Sequence, residues 1–181
     1  MICRHEGHCG GCGLQLVPYA EQLARKTAWL RELLAGSVPT SRLSGPLFLP
    51  VFPEDAHPSG FRQKVAFVFG PGDGSGRGLV MGHYARGSNR VIQVDECPVH
   101  SPRGNRIAFA LRDELAKARI PAAGTNLAGI VRHLLIRTTA DDREAVAMLV
   151  VTRNDKALRR PVRALLTSAE RPDGFFINIH D

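Results

Sequence analysis

The sequence contains no apolar run that approaches the roughly 18 residues needed to cross a bilayer. Its first residues, Met1 to His5, also lack the apolar stretch of a secretory signal peptide. We therefore expect a cytoplasmic protein with no membrane partner. Cysteines in the cytoplasm bind metals or act in catalysis more often than they form disulfides, so the 4 cysteines are candidates for a metal site.

Motifs that bind nucleotide-like cofactors are also missing. The glycine-rich stretch from Gly70 to Gly76 fails G-x-G-x-x-G at every register, and no Walker motif is present. The stretch is typical of a hairpin loop. A nucleophilic thiolate must be free, and the cysteines are better explained as metal ligands. We therefore expect no catalytic residue and no cofactor-binding turn in this chain.

The charge is unbalanced, with 24 Lys and Arg against 17 Asp and Glu, a net charge of +7 and a pI of about 9.8. Such an excess favours polyanionic partners, because cations that neutralise phosphates release counterions. A basic protein with a solvated charged face is the alternative. The candidate RNA-binding residues are Arg62, Lys64, Arg86 and Arg90, with Phe61, His83 and Tyr84 available for stacking on bases. The alternative for Phe61 is a position in the hydrophobic core. Arg159, Arg160 and Arg163 are better explained as an exposed helix face.

Hydrophobic periodicity predicts an α+β body. A helix is expected from Val17 to a stop at Gly36. Alternation predicts strands at 61–69, 79–84, 90–94, 130–138, 145–152 and 175–179, with a short apolar strand at 47–52. Helices are expected from Ser101-Pro102 onward and near 155–168.

We divide the chain into a cysteine loop and first helix at 1–36, a connector at 37–60, and an α+β domain at 61–181. The last predicted strand ends two residues before the chain does, so we expect this domain to be truncated; a C-terminal edge strand is the alternative. The predicted fold is a small cysteine loop plus helix, followed by a mixed or antiparallel sheet with two packing helices.

The cysteines form C-x5-C-x2-C at Cys3, Cys9 and Cys12, with a remote Cys97 followed by Pro98. Iron–sulfur clusters are commonly held by four thiolates, and nearby glycines let the backbone fold closely around them. Zinc is the main alternative, and His5, His8 or His100 could then replace a thiolate. A redox pair lacks the usual βαβ context, and a radical enzyme's three-cysteine loop is more tightly spaced.

The segment from Cys3 to Gln15, followed by Tyr19, Gln22, Leu23 and Lys26, closely resembles the cluster loop and first helix of iron–sulfur-containing RNA (uracil-5-)-methyltransferases. Three later segments extend the similarity over essentially the whole chain: Phe61 to Phe67, with Gln63 where the family usually has Asn; Met81 to Pro98, which includes Glu96-Cys97-Pro98; and His133 to Arg137.

This resemblance implies a [4Fe-4S] cluster held by Cys3, Cys9, Cys12 and Cys97. It also implies transfer of a methyl group from S-adenosylmethionine to uracil C5 of structured RNA, with 23S rRNA favoured and tRNA as the second possibility. The family's cofactor and catalytic residues lie on a C-terminal Rossmann-like domain, which we expect to be absent here. The chain alone is then predicted to be inactive and monomeric. The rival hypotheses are a zinc-stabilised, non-enzymatic nucleic-acid-binding module and a ferredoxin-like electron carrier.

Overall fold

A computed structural model describes residues 3–43, 59–72, 78–124 and 127–180. The chain forms two compact units, one of Met1–Ile2 with Cys12–Pro58 and one of Cys3–Gly11 with Ser59–Asp181. The predicted strand at 47–52 and part of the predicted loop, 73–77, lie outside the described residues. None of the described helices combines the length and the apolar character that a membrane span requires.

The described residues of the smaller unit form two helices. Helix α1 covers Tyr19–Leu34, so it starts after Pro18 rather than at Val17 and ends before Gly36. Its buried residue, Thr27, donates a hydrogen bond from Oγ1 to the Leu23 carbonyl at 2.9 Å. A short helix α2 covers Thr40–Leu43 inside the segment expected to be a connector. Arg31 Nε donates to the Leu43 carbonyl at 3.3 Å and thereby ties α2 back to α1.

The larger unit is built on a sheet in the order β3-β2-β1-β4-β5-β6. Neighbouring strands are antiparallel except for β5 and β6, which are parallel, so the sheet is mixed as predicted. The bounds of its strands are β1 Lys64–Gly70, β2 Val80–Tyr84, β3 Val91–Gln93, β4 Val131–Thr138, β5 Ala145–Val151 and β6 Gly174–Ile179.

Two helices accompany this sheet: α3 at Pro102–Lys117, and α4 at Arg159–Leu166, which follows a 3-10 turn at Lys156–Leu158. The helix predicted to begin at Ser101-Pro102 is confirmed. Ser101 caps α3 by accepting a hydrogen bond from the Gly104 amide at 2.8 Å. One face of α3 buries Ile107, Leu111 and Leu115 completely, which provides much of the core on the sheet.

The burial pattern along β1 shows that one face of the sheet is buried in the core. Val65, Phe67 and Phe69 are buried while Lys64 and Ala66 are exposed, as the period of two requires. Phe61 was predicted to belong to this strand, and that prediction is wrong. Its side chain is 46% exposed, and β1 begins only at Lys64. The reason is that the Arg62 backbone pairs instead with the segment after Cys97, donating to Val99 and accepting from Ser101.

Candidate functional site

The cysteine loop at 3–11 folds against the end of β2 and the turn that follows it. Cys9 forms an isolated antiparallel bridge with Ala85. On either side of this bridge the Gly10 amide donates to the Tyr84 carbonyl at 2.9 Å, and the Arg86 amide donates to the His8 carbonyl at 3.0 Å. A side chain at Gly10 would place its Cβ 3.0 Å from the Tyr84 oxygen, so the close approach favours glycine there.

The same loop is tied to the segment that carries Cys97. Arg4 Nε lies 3.0 Å from Glu96 Oε1, and these residues are the immediate neighbours of Cys3 and Cys97. Asn105 of helix α3 donates from Nδ2 to the Cys97 carbonyl at 2.9 Å, so the start of α3 fixes the backbone at this cysteine. Three of the four predicted cluster ligands, Cys3, Cys9 and Cys97, therefore belong to one compact unit.

The environment of the cysteines suits thiolate ligands. Cys97 is buried, Cys3, Cys9 and Cys12 are half-buried, and none of these four described residues is in a disulfide. Cys12 belongs to the other compact unit and follows Cys9 by three residues. The Gly11 amide donates to Cys9 Sγ at 3.4 Å, which is the kind of hydrogen bond that tunes cluster sulfurs. The residues present fit an iron–sulfur group on their donor chemistry.

Two histidines lie beside Cys97: His100, which the sequence offered as an alternative zinc ligand, and His83, which it did not. His83 of β2, Cys97 and His100 each offer one ligand atom, and these atoms lie within 4.8 Å of one another. His83 stacks on Phe67 with ring centroids 5.1 Å apart, and His100 meets both rings edge-on. Phe67 therefore covers one face of the half-buried His83 ring, and stacking of this ring on an RNA base stays a prediction. Only the tertiary fold brings the three residues together, because 14 positions separate His83 from Cys97 in the chain.

The surroundings of both imidazoles lower their pKa and so favour the neutral form. Burial lowers the pKa of His100 to about 3, and the charges of His83 and Arg62 act in the same direction, while the Asn105 side chain opposes them. Burial also lowers the pKa of His83, again with help from Arg62. His100 Nδ1 is buried with no well-aligned hydrogen-bond partner among the described residues. A neutral ring nitrogen of this kind can accept a metal ion.

The four predicted RNA-binding residues are all exposed, but each occupies a different setting. Arg62 lies beside the histidines, whose pKa values it lowers. Arg86 adjoins the cysteine loop, 4.0 Å from Glu6. Lys64 opposes Arg137 across β1 and β4. Arg90 follows the turn between β2 and β3.

Arg90 lines a cleft of about 700 Å³ between the β2–β3 hairpin and β4. Tyr84, Asn89, Arg132 and His133 contribute its polar lining, and none of the described lining residues is acidic. Arg132 Nη1 donates to the His180 carbonyl at 3.0 Å. Burial and the charges of Arg132 and His180 lower the pKa of His133. Sequence reasoning missed Arg132, because its position in a strand gave no sign of a cleft.

Comparison with known proteins identifies related RNA methyltransferases. An uncharacterized RNA methyltransferase of Thermosynechococcus vestitus is 34% identical over 143 residues, which cover 79% of this chain and 30% of that protein. A 23S rRNA (uracil(1939)-C(5))-methyltransferase of Pseudomonas fluorescens is 33% identical over 150 residues, or 77% of this chain and 31% of that protein. No family model matches the chain.

A solved structure has the same fold. The tRNA (uracil-54, C5)-methyltransferase of Pyrococcus abyssi, crystallised with S-adenosyl-L-homocysteine, superposes with a TM-score of 0.64 at 20% identity and covers 95% of this chain and 37% of that one. The chain thus spans about a third of the length of the relatives that it matches.

Proposed function

Because this chain belongs to the RNA methyltransferases and spans about a third of their length, we propose that it is the cluster-binding and RNA-binding portion of an S-adenosylmethionine-dependent RNA (uracil-5-)-methyltransferase. The observation that carries the proposal is its 33% identity to a 23S rRNA uracil-C5 methyltransferase over 77% of the chain. 23S rRNA is accordingly the favoured substrate of the whole enzyme, and tRNA the second.

In this proposal a [4Fe-4S] cluster is held by Cys3, Cys9, Cys12 and Cys97. The Arg4–Glu96 ion pair supports it, because the pair joins the immediate neighbours of the first and last ligands. The cluster would supply a rigid crosslink between the cysteine loop and the segment before α3. The chain's own residues do the rest of the positioning, since the loop's backbone hydrogen bonds to Tyr84 and Arg86 attach it to the β2–β3 hairpin.

We propose that Arg62, Lys64, Arg86 and Arg90 bind RNA. The cleft beside Arg90 would add to this RNA-binding surface. The exposed ring of Tyr84 offers a stacking surface, and Arg90 and Arg132 offer charge for phosphates. The absence of acidic side chains among the described lining residues favours a polyanion over a cationic ligand.

The test is a methylation assay with two proteins in parallel: the 181-residue chain and the longer reading frame in which we expect it to lie. With labelled S-adenosylmethionine and 23S rRNA transcripts, the longer protein should form 5-methyluridine, detected by nucleoside mass spectrometry. The isolated chain should bind RNA without transferring a methyl group. Methylation by the isolated chain would refute the assignment of catalysis to other parts of the enzyme. If the longer protein carries the cluster and binds RNA but forms no 5-methyluridine, the proposed uracil-C5 methyltransferase activity would be refuted.

A further inference from the structure

His83, Cys97 and His100 form a compact group. The proposed cluster uses only Cys97 of the three and leaves both histidines without a role. The ligand atoms of the three residues lie within 4.8 Å of one another, and Cys97 and His100 are buried. Two imidazoles and one thiolate are ligands that zinc commonly takes. We propose that these three residues bind a single divalent transition metal ion of the zinc class whenever the cluster is absent. Because Cys97 serves both sites, the two metal states exclude each other.

The surroundings of the group favour a metal ion over simple packing. Ring stacking of Phe67 with His83 covers one face of each of these two rings. It does not satisfy the buried Nδ1 atom of His100, to which the neighbouring Asn105 side chain makes no well-aligned hydrogen bond. Buried polar atoms normally have a partner, and a metal ion would provide one.

The fourth ligand would come from the cysteine loop, outside the group of three whose ligand atoms lie within 4.8 Å of one another. A Cβ placed on Gly11 would lie 3.4 Å from Cys9 Sγ and 3.9 Å from the His83 ring, so Cys9 and His83 border the same point. Tetrahedral zinc sites use four ligands when they are structural. We assign the fourth position to Cys9, with water taking it when Cys9 is removed.

This inference rests on the proposed function only through Cys97 and Cys9, which both sites would use. The cluster needs Cys3 and Cys12, which the mononuclear site does not use, whereas the mononuclear site needs His83 and His100. Substitutions at Cys12 and at the histidines therefore separate the two states. If the cluster proposal failed, the mononuclear site would still be testable in the same protein.

The probe is Co²⁺, added anaerobically to metal-free protein, since tetrahedral cobalt gives visible ligand-field bands and thiolate charge-transfer bands that colourless zinc does not. Wild type and Cys12→Ser should bind one Co²⁺ with equal affinity, and Zn²⁺ should displace it. His83→Phe and His100→Phe keep an aromatic ring but remove the ligand nitrogen. Each should weaken Co²⁺ binding by more than about tenfold, because even outer-shell losses cost 10–100-fold. His180→Gln, at an exposed histidine outside the cysteine loop, is the control and should bind like wild type.

X-ray absorption of the Zn²⁺-loaded wild type gives a readout that needs no variant. The expected first shell contains two imidazole nitrogens and two sulfurs, and in Cys9→Ser one sulfur fewer. A shell of four sulfurs, or cobalt binding that is lost in Cys12→Ser and unchanged in both histidine variants, would assign the metal to the four cysteines and overturn the proposal. Failure of metal-free wild type to bind either ion would overturn it as well.

Discussion

Arg4 and Glu96 form an ion pair of 3.0 Å across 92 positions of the chain, and each residue adjoins a predicted cluster ligand. Both side chains are more than half exposed, so the pair itself contributes only about 0–1 kcal/mol to folding. Its importance lies in geometry, because it holds the first turn of the cysteine loop beside the segment that presents Cys97.

The first prediction concerns metal content. Protein prepared anaerobically should be brown, with broad absorbance near ~400 nm and about four irons and four sulfides per chain. Cys97→Ser should lose the cluster and loosen the loop from the hairpin, because Cys97 is the remote ligand that crosslinks the two segments. Iron and sulfide analysis with absorbance spectra measures both effects. Stoichiometric zinc without iron, in anaerobic wild-type protein, would contradict the cluster assignment.

The second prediction concerns the effect of the Arg4–Glu96 ion pair on the stability of the cluster in air. Arg4→Glu places two carboxylates side by side, so the loop should separate more readily and the cluster should decay faster in air. Arg4→Glu combined with Glu96→Arg restores the attraction and should return the decay rate toward that of wild type. The decay is followed by loss of absorbance near ~400 nm. Arg25→Glu, at a similarly exposed pair with Glu21 on α1, is the control and should leave the rate unchanged. A double variant that decays as fast as the single one would contradict this role.

Local patterns in the sequence were sufficient for most of the regular elements, but not for α2, which lies in the predicted connector. The alternation of Val65, Phe67 and Phe69 identified β1, and Ser101-Pro102 identified the start of α3. Phe61 was misplaced because periodicity cannot reveal that the Arg62 backbone pairs with Val99 rather than with a sheet neighbour.

His100 was already a candidate ligand from the sequence, but the position of His83 beside Cys97 and His100 had no local signal. It depends on the β2–β3 hairpin, where Gly82 lets the strands approach so closely that a Cβ there would lie 1.8 Å from the Ile92 oxygen. Contacts of this kind depend on how distant strands pair in the sheet. That pairing cannot be read from any single stretch of the sequence.

The third prediction concerns acid stability. The Ala145 amide donates to Asp173 Oδ2 at 2.7 Å, and Arg103 Nη2 donates to the same oxygen at 2.8 Å. The amide hydrogen bond, with help from the Arg103 charge, lowers the pKa of Asp173 below its usual value. A carboxyl whose pKa is lower when folded stabilises the fold above its unfolded pKa of about 3.9 and loses that contribution as the pH falls through the folded value.

Asp173→Asn should therefore lower the melting temperature at neutral pH, and its difference from wild type should shrink below about pH 3.9. Thermal unfolding followed by circular dichroism from pH 7 to pH 3 measures this. Glu144→Gln removes the same charge from a nearby exposed position and should show no comparable convergence. A difference between Asp173→Asn and wild type that is constant over the whole pH range would contradict the linkage.

The last prediction separates an RNA-binding surface from a merely basic protein. If Arg62 and Lys64 contact phosphates, Arg62→Glu with Lys64→Glu should weaken binding of structured RNA and flatten the slope of log affinity against log salt. Each lost contact should reduce that slope by roughly 0.7–0.9. Both side chains are exposed, so the fold should change in stability by only about 0.5 kcal/mol.

Arg159→Glu with Arg163→Glu is the matched control, because it makes the same change in net charge on the exposed face of α4. A basic protein with scattered, nonspecific attraction would lose affinity equally in both double variants. A binding surface would lose it selectively at Arg62 and Lys64, because counterions are released where phosphates are neutralised, not wherever charge is removed. Filter binding or fluorescence anisotropy at several salt concentrations distinguishes the two. Equal losses would leave a basic protein with no defined RNA surface at these residues.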